Sequence, residues 1–316
     1  MCTNQNYILP DANHIIVIGD IHGDYELVLK ILKFSKVIDD DLNWIGGDII
    51  IVQLGDQIDS LRPSKKNNIN LEANDIKILK FFNELNKKAE KSGGKVISLL
   101  GNHEIMNVLG DFRYVSKKDI DYFKNYKDLK TGKVFKNGID GRKYAFSIGN
   151  EYANLLACTR YSAIIIGEFL FIHSAVLENF AKQFSIHKIN TIVRKWLLNE
   201  LKIQSEIADL NKIISNDSIF WNRVFGFLPP YLSIDNPDCE KYIKPILKIY
   251  NVNGIFIGHT PQNLVHNVGI NSTCDDKLWR VDSGNSYAFN IIELAHKFKK
   301  FEVLEIINKK IKIKSF

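Results

Sequence analysis

The 316-residue sequence is poor in cysteine and holds no long apolar run. Its four cysteines, Cys2, Cys158, Cys239 and Cys274, include no C-x-x-C pair, so zinc knuckles and dithiol redox motifs are excluded. Their wide, irregular spacing predicts reduced thiols in a cytosolic protein. Residues 1–13 lack the apolar core of a secretory signal, and nothing approaches the ~20 apolar residues that cross a bilayer. A cytoplasmic location with no membrane partner is therefore expected. No internal repeat and no dividing linker is visible, so a single domain over 1–316 is the simplest organisation.

What is present is ordinary for a globular chain: 45% hydrophobic and 25% charged residues, with a formal net charge of +6. Lysine is densest over 297–314, where it alternates with Ile, Phe and Val. That pattern reads as basic C-terminal strands over 291–316, with an edge protected by lysine, and a nucleic-acid partner is not expected.

Apolar runs alternate with helical patterns. Strands are predicted over 14–19, 49–54, 95–100, 168–172 and 254–257. Helices are predicted over 24–38, 76–89, 187–214 and 238–250, and a polar loop over 62–70. Residues 111–160 read as a helical cap-like insertion, and the tail from about Trp279 as several short strands. The β-α-β-α-β order implies an α/β fold with a buried sheet.

Each predicted strand runs into metal-ligand chemistry. The segments are Gly19–Gly23 (Gly-Asp-Ile-His-Gly), Gly55–Asp59 (Gly-Asp-Gln-Ile-Asp), Gly101–Glu104 (Gly-Asn-His-Glu), His173–Ser174 and Gly258–Pro261 (Gly-His-Thr-Pro). Ligand sites form beyond the carboxyl ends of strands in such folds, so these ends can meet at one cleft. Asp20 and His22 point to one side of extended chain. The donors are oxygen and imidazole, suited to Mn, Fe or Zn rather than to metals that prefer thiolate. Four of eight histidines, His22, His103, His173 and His259, follow strands directly. His14, His187, His266 and His296 have no such context and read as structural or surface residues.

The three ordered motifs and two later histidines resemble the phosphoprotein phosphatase (PPP) metallophosphatases. The stretch from Leu99 to Val115 resembles their Shewanella-like, bacterial-type branch, over a core of about 14–290. The resemblance implies a calcineurin-like metallophosphoesterase fold, with two mixed β-sheets in a sandwich flanked by helices, and a dinuclear centre of divalent ions. By the same resemblance Asp20 and His22 hold the first ion, Asp56 bridges both, and Asn102, His173 and His259 complete the second. His103 becomes the general acid, oriented by Asp59. Two such ions clamp a phosphate and lower the pKa of a bridging water, which then attacks phosphorus. The leaving oxygen takes its proton from a positioned imidazolium.

The sequence departs from the pattern at Ser60, where the family carries a phosphate-gripping arginine, and at Ser174 and Ala175, which replace two glycines. Arg62 stands two residues beyond Ser60, Arg223 resembles a second gripping arginine of the branch, and Arg113 is a third candidate. The implied activity is phosphomonoester hydrolysis on a phosphorylated protein or peptide. The alternatives are hydrolysis of dinucleoside polyphosphates and, from another class, a phosphoprotein-binding pseudophosphatase with weak turnover, to which Ser60 points.

Overall fold

The structure is a computed structural model that describes residues 2, 5–62, 72–289 and 301–315. The expected loop beyond Arg62, His296 and the first part of the basic tail lie outside the described residues. In chain order the strands are β1 (Ile8–Leu9), β2 (His14–Ile18), β3 (Ile50–Gln53), β4 (Lys95–Leu99), β5 (Tyr126–Lys127), β6 (Val134–Phe135) and β7 (Arg160–Tyr161). There follow β8 (Ala163–Ile166), β9 (Phe169–Ile172), β10 (Gly254–Ile257), β11 (Asn271–Thr273), β12 (Leu278–Arg280), β13 (Glu302–Ile307) and β14 (Lys310–Ser315).

Two six-stranded sheets result, with orders β14-β13-β2-β3-β4-β7 and β1-β8-β9-β10-β12-β11. In the first, β2, β3, β4 and β7 run parallel and β13 is antiparallel to β2. In the second, β9, β10 and β12 run parallel, while β8 and β11 are antiparallel to β9 and β12. Both sheets are mixed, as the resemblance implied.

The apolar runs are continuous because both faces of each sheet are covered. Side chains alternate along a strand, so Ile15 and Val17 turn inward with Val52, Ile97 and Leu99. There they meet Ile164, Ile166, Phe171, Phe256 and Trp279 of the second sheet. Ile16, Ile18, Ile51 and Val96 turn outward onto helices α1 (Tyr25–Phe34) and α2 (Asp75–Glu90). The outer face of the second sheet, with Ile165, Leu170, Ile172 and Ile255, packs on a separate helical layer that includes Ile189, Val193 and Phe220.

Three more helices matter for the site: α3 (Asn102–Leu109), α4 (Lys117–Asp121) and α5 (Gly138–Phe146). Residues 111–160 hold α4, α5, the β5–β6 hairpin and α6 (Glu151–Thr159), and α5 packs against both α3 and α4.

Several boundaries differ from expectation. The helix predicted to Ile38 stops at Phe34, because Lys36 turns left-handed and the Val37 amide bonds back to the Leu32 carbonyl. The 187–214 pattern is two helices, Ile186–Leu197 and Gln204–Ile213, with left-handed Asn199 between them. The 238–250 helix is split into Pro237–Tyr242 and Lys244–Tyr250, with the second restarting around Pro245. β8 was not expected at all.

The cysteine reading is corrected outright. Cys2 pairs with Cys158 and Cys239 with Cys274, with Cα atoms 4.8 and 5.6 Å apart, so none of the four is a free thiol. Sequence separations of 156 and 35 residues concealed a proximity that only the fold creates. Among the described residues no helix is long and apolar enough to cross a membrane. The lysine-rich end does form an edge strand: Lys310, Lys312 and Lys314 of β14 are exposed.

The inter-sheet core sets a clear stability test. Phe171 is fully buried and stacked on Phe256 with ring centroids 4.9 Å apart. Phe171→Ala should cost about 3–5 kcal/mol of unfolding free energy, measured by urea denaturation. A loss well under 1 kcal/mol would show that the two sheets do not share this core.

Candidate active site

The carboxyl ends of the strands deliver the site. Asp20 and His22 follow β2, Asp56 and Asp59 follow β3, Asn102 and His103 follow β4, His173 follows β9 and His259 follows β10. All eight are buried. Four of them have left-handed backbones, with φ of 47° at His22, 52° at Asp56, 72° at Asp59 and 66° at His259. Non-glycine residues adopt that conformation at a cost, and such strain collects where side chains must be aimed.

The loops are held by each other. Backbone amides of Ile21 and His22 donate to the Asp56 carbonyl at 3.0 and 2.9 Å, and Gly23 donates to Gln57 at 2.9 Å. Glu104 accepts from the amides of Gly101, Asp56 and Gln57 at 2.7, 3.0 and 2.8 Å. One buried carboxylate thus ties the β3 loop to the start of α3. Asp56 Oδ1 in turn accepts the His103 amide at 2.9 Å, and Asp20 accepts the His259 amide on both oxygens. Two glycines make room for these carboxylates. A Cβ at Gly101 would lie 2.1 Å from Asp56 Oδ1, and one at Gly258 would lie 2.3 Å from Asp20 Oδ1.

Asp56 Oδ2 is the centre of the cluster. The Nε2 atoms of His173, His22 and His103 stand 3.3, 3.8 and 3.9 Å from it, and Asp20 Oδ2 is 3.7 Å from His22 Nε2. Asn102 Oδ1 lies 3.1 Å from His173 Nε2. The rings are aimed from behind. Nδ1 of His22 faces the Ile58 carbonyl and Nδ1 of His173 faces the Leu54 carbonyl, so their Nε2 atoms look inward. His259 is reversed: Nε2 faces the Trp221 carbonyl, and the buried Nδ1 has no hydrogen-bond partner among the described residues. Two ligand groups share Asp56, one with His22 and His103 and one with His173 and His259.

The electrostatics follow from burying many like charges together. Burial first, then the neighbouring Asp282 and Asp56 carboxylates, holds Asp20 well above the usual carboxylate range. Burial pushes Asp282 up to about 6, with Asp56 adding to the rise. His22 and His259 are held well below the ordinary imidazole value, mainly by burial, and so are neutral. Burial also pulls His173 down, but the adjacent Asp56 overcomes it and the ring stays above its ordinary value.

Asp59 Oδ2 takes a 2.8 Å hydrogen bond from His103 Nδ1. Arg62 is half-buried, donates to the Asp59 and Leu61 carbonyls, and stacks over Phe289 and Tyr114 at 4.6 and 5.5 Å. Ser60 packs instead against Gly23, where an added Cβ would lie 2.9 Å from its own. Arg223 sits at the rim, donating to the His259 carbonyl at 2.6 Å. Arg113 is not gathered: it is exposed and forked onto Asp111. His14, His187 and His266 stay outside the cluster; His14 bonds Glu305 and His187 packs on Tyr7. Asp282, absent from the sequence reading, follows β12 as the others follow their strands, and Gly284 supplies a short turn after it.

A calcineurin-like phosphoesterase model matches residues 14–263. The chain belongs to the calcineurin-like phosphoesterase family. It is 37% identical to the uncharacterized protein R398 of Acanthamoeba polyphaga mimivirus, over 71% of this chain and 94% of that one. It is 28% identical to Shewanella-like protein phosphatase 2 of Arabidopsis thaliana, over 90% of this chain and 75% of that one. Among solved structures, the cold-active protein-tyrosine phosphatase of a psychrophilic Shewanella species has the same fold, with a TM-score of 0.69 at 22% identity over 98% of this chain and 82% of that one.

The residues of this phosphoesterase fit the divalent ions its family uses. Neutral imidazoles, together with His259 Nδ1 and buried Asp282 Oδ2, which have no hydrogen-bond partner among the described residues, are donors that suit a cation. The raised pKa values give this a measurable sign. Below them Asp20, Asp282 and His173 carry protons that a cation must displace. Mn2+ binding to chelator-treated protein should therefore release protons at pH 6 and fewer at pH 8, and Asp282→Asn should lower the number released at pH 6 by about half a proton. Calorimetric titration in two buffers of different ionisation enthalpy measures this. Equal heats in both buffers at pH 6 would refute it.

Proposed function

We propose that this phosphoesterase hydrolyses phosphomonoesters on proteins, with Asp20 and His22 holding one divalent ion, Asp56 shared, and Asn102, His173 and His259 holding the other. Two such ions, when bound, neutralise the phosphoryl oxygens and activate a water. The chain's own residues supply the rest. The observation that carries the reading is the 2.8 Å bond between His103 Nδ1 and Asp59, with His103 Nε2 facing the Asp56 cluster. A carboxylate behind an imidazole fixes its orientation and its tautomer. His103 is thereby set apart from His22, His173 and His259, whose outer nitrogens meet neutral carbonyls, and it is the group able to protonate a leaving oxygen.

Arg62, beside Asp59, and Arg223, beside His259, are the cations that grip the phosphate. Arg62 enters over Phe289 and fills the role that Ser60 cannot. A cavity of about 570 Å³ opens beside Arg223, lined by Trp221, Asn222, Val224 and Phe227, and gives room for the chain flanking a phosphorylated residue. A larger cavity of about 1040 Å³ lies among Tyr7, Arg194 and the Cys2–Cys158 disulfide and holds none of the cluster. The Arabidopsis and Shewanella relatives are named as protein phosphatases, which supports a protein substrate. The intact ligand set argues against a pseudophosphatase.

His103→Ala should lower kcat on an alkyl phosphate by roughly 100- to 10,000-fold, while an aryl phosphate with a good leaving group loses far less. Equal losses on the two esters would sink the proton-donor role. Arg62→Ala should raise KM about tenfold or more with metal content unchanged, and an unaltered KM would remove Arg62 from the phosphate site. With manganese added, phosphotyrosine and phosphothreonine peptides should be turned over faster than diadenosine tetraphosphate. The reverse order would favour a dinucleoside polyphosphate hydrolase.

A further inference from the structure

Behind the His103–Asp59 pair lies a second buried network that the proposed mechanism does not use. Arg142, on α5, has a side chain with no solvent exposure. Its Nε donates to Asn107 Oδ1 at 2.8 Å, and one terminal nitrogen donates to Asp75 at 2.7 Å and lies 3.7 Å from Asp59 Oδ1. The Asn107 amide donates to the same Asp59 oxygen at 2.9 Å. Asp75 also accepts the Asp59 amide at 3.0 Å, and Asp119 of α4 accepts the Asp75 amide at 3.1 Å. Phe146, Phe123 and Phe112 surround the guanidinium at 4.8 to 5.8 Å.

Each contact runs toward Asp59. Its Oδ2 serves His103, and its Oδ1 is held by Asn107 and faced by Arg142. Asp59 is fully buried in a left-handed backbone, so the surrounding protein groups fix the rotamer of its carboxylate. Burying an arginine is costly unless its partners are complete. Here the 111–160 segment brings Arg142 on α5 and Asp119 on α4 to the back of the proton donor, where Asn107 of α3 and Asp75 at the start of α2 complete the partners.

We propose that Arg142 is a positioning residue for the His103–Asp59 pair, acting through Asn107 and by its own charge on Asp59 Oδ1. It orients the carboxylate that orients the imidazole, and it gives the 111–160 segment a part in turnover. The inference rests on reading His103 as the proton donor.

The test compares Arg142→Met with the double variant Arg142→Met/Asp75→Asn, in which the buried carboxylate is neutralised together with its partner. Both should lose about 10- to 100-fold in kcat on an alkyl phosphate, with KM and bound metal unchanged and an aryl phosphate little affected. Arg142→Lys, which keeps the charge without the Nε contact, should fall between wild type and Arg142→Met. In protein labelled with 15N-histidine, the His103 Nδ1 proton should give a hydrogen-bonded downfield resonance that shifts or broadens in the double variant. Parallel losses on both esters, or recovery of alkyl phosphate turnover in the double variant, would show that Arg142 only supports folding. If His103→Ala itself falls equally on both esters, the proton-donor reading fails, and the resonance alone decides whether Arg142 holds the pair.

Discussion

Everything in the site follows from placing Asp56 where three imidazoles converge on one of its oxygens, with Asp20 and Asp282 close behind. Several carboxylates in one buried pocket repel each other and lose hydration. In the proposed reading, divalent ions would offset that burden, because they would satisfy the inward lone pairs of His22, His173 and His259 as well as the charges. The rest of the fold can be read as the means of holding those donors at the required spacing.

Glu104 is the clearest instance. Its carboxylate touches no predicted ligand side chain, yet it gathers the amides of Gly101, Asp56 and Gln57. Those bonds hold the left-handed turn at Asp56 against the first turn of α3. The carbonyls of Leu54, Ile58 and Trp221 do the same for the imidazoles by selecting which nitrogen faces inward. Geometry at the centre is therefore enforced by backbone groups, and point substitutions of the surrounding loops act through hydrogen bonds more than through packing.

The sequence made part of this legible and hid part for a definable reason. Buried strands covered on both faces announce themselves as apolar runs, and a ligand that follows such a run directly is visible as a pattern. That is how Asp20, Asp56, Asn102, His173 and His259 could be placed before any fold was known. Asp282 obeys the same rule, but β12 is only three residues long and the tail around it was not divided into strands. Contacts between distant segments leave no local mark. The disulfide partner of Cys158 is 156 residues away, and Arg142 is 83 residues from Asp59. Left-handed turns at Asp56 and Asp59 are likewise silent, since neither residue type demands them.

Ser60 shows why position and function must be separated. A motif comparison finds a missing arginine there and suggests weakened phosphate binding. In three dimensions the position is filled by packing against Gly23, while Arg62 reaches the same cleft from two residues further on, seated on Phe289 and tied to the Asp59 carbonyl. A positive charge near a phosphate acts through distance and partial desolvation, and neither depends on which residue number supplies it. Under the proposed role of Arg62, the chain loses the motif position and keeps the charge, with an aromatic face and two carbonyls holding the longer approach in place.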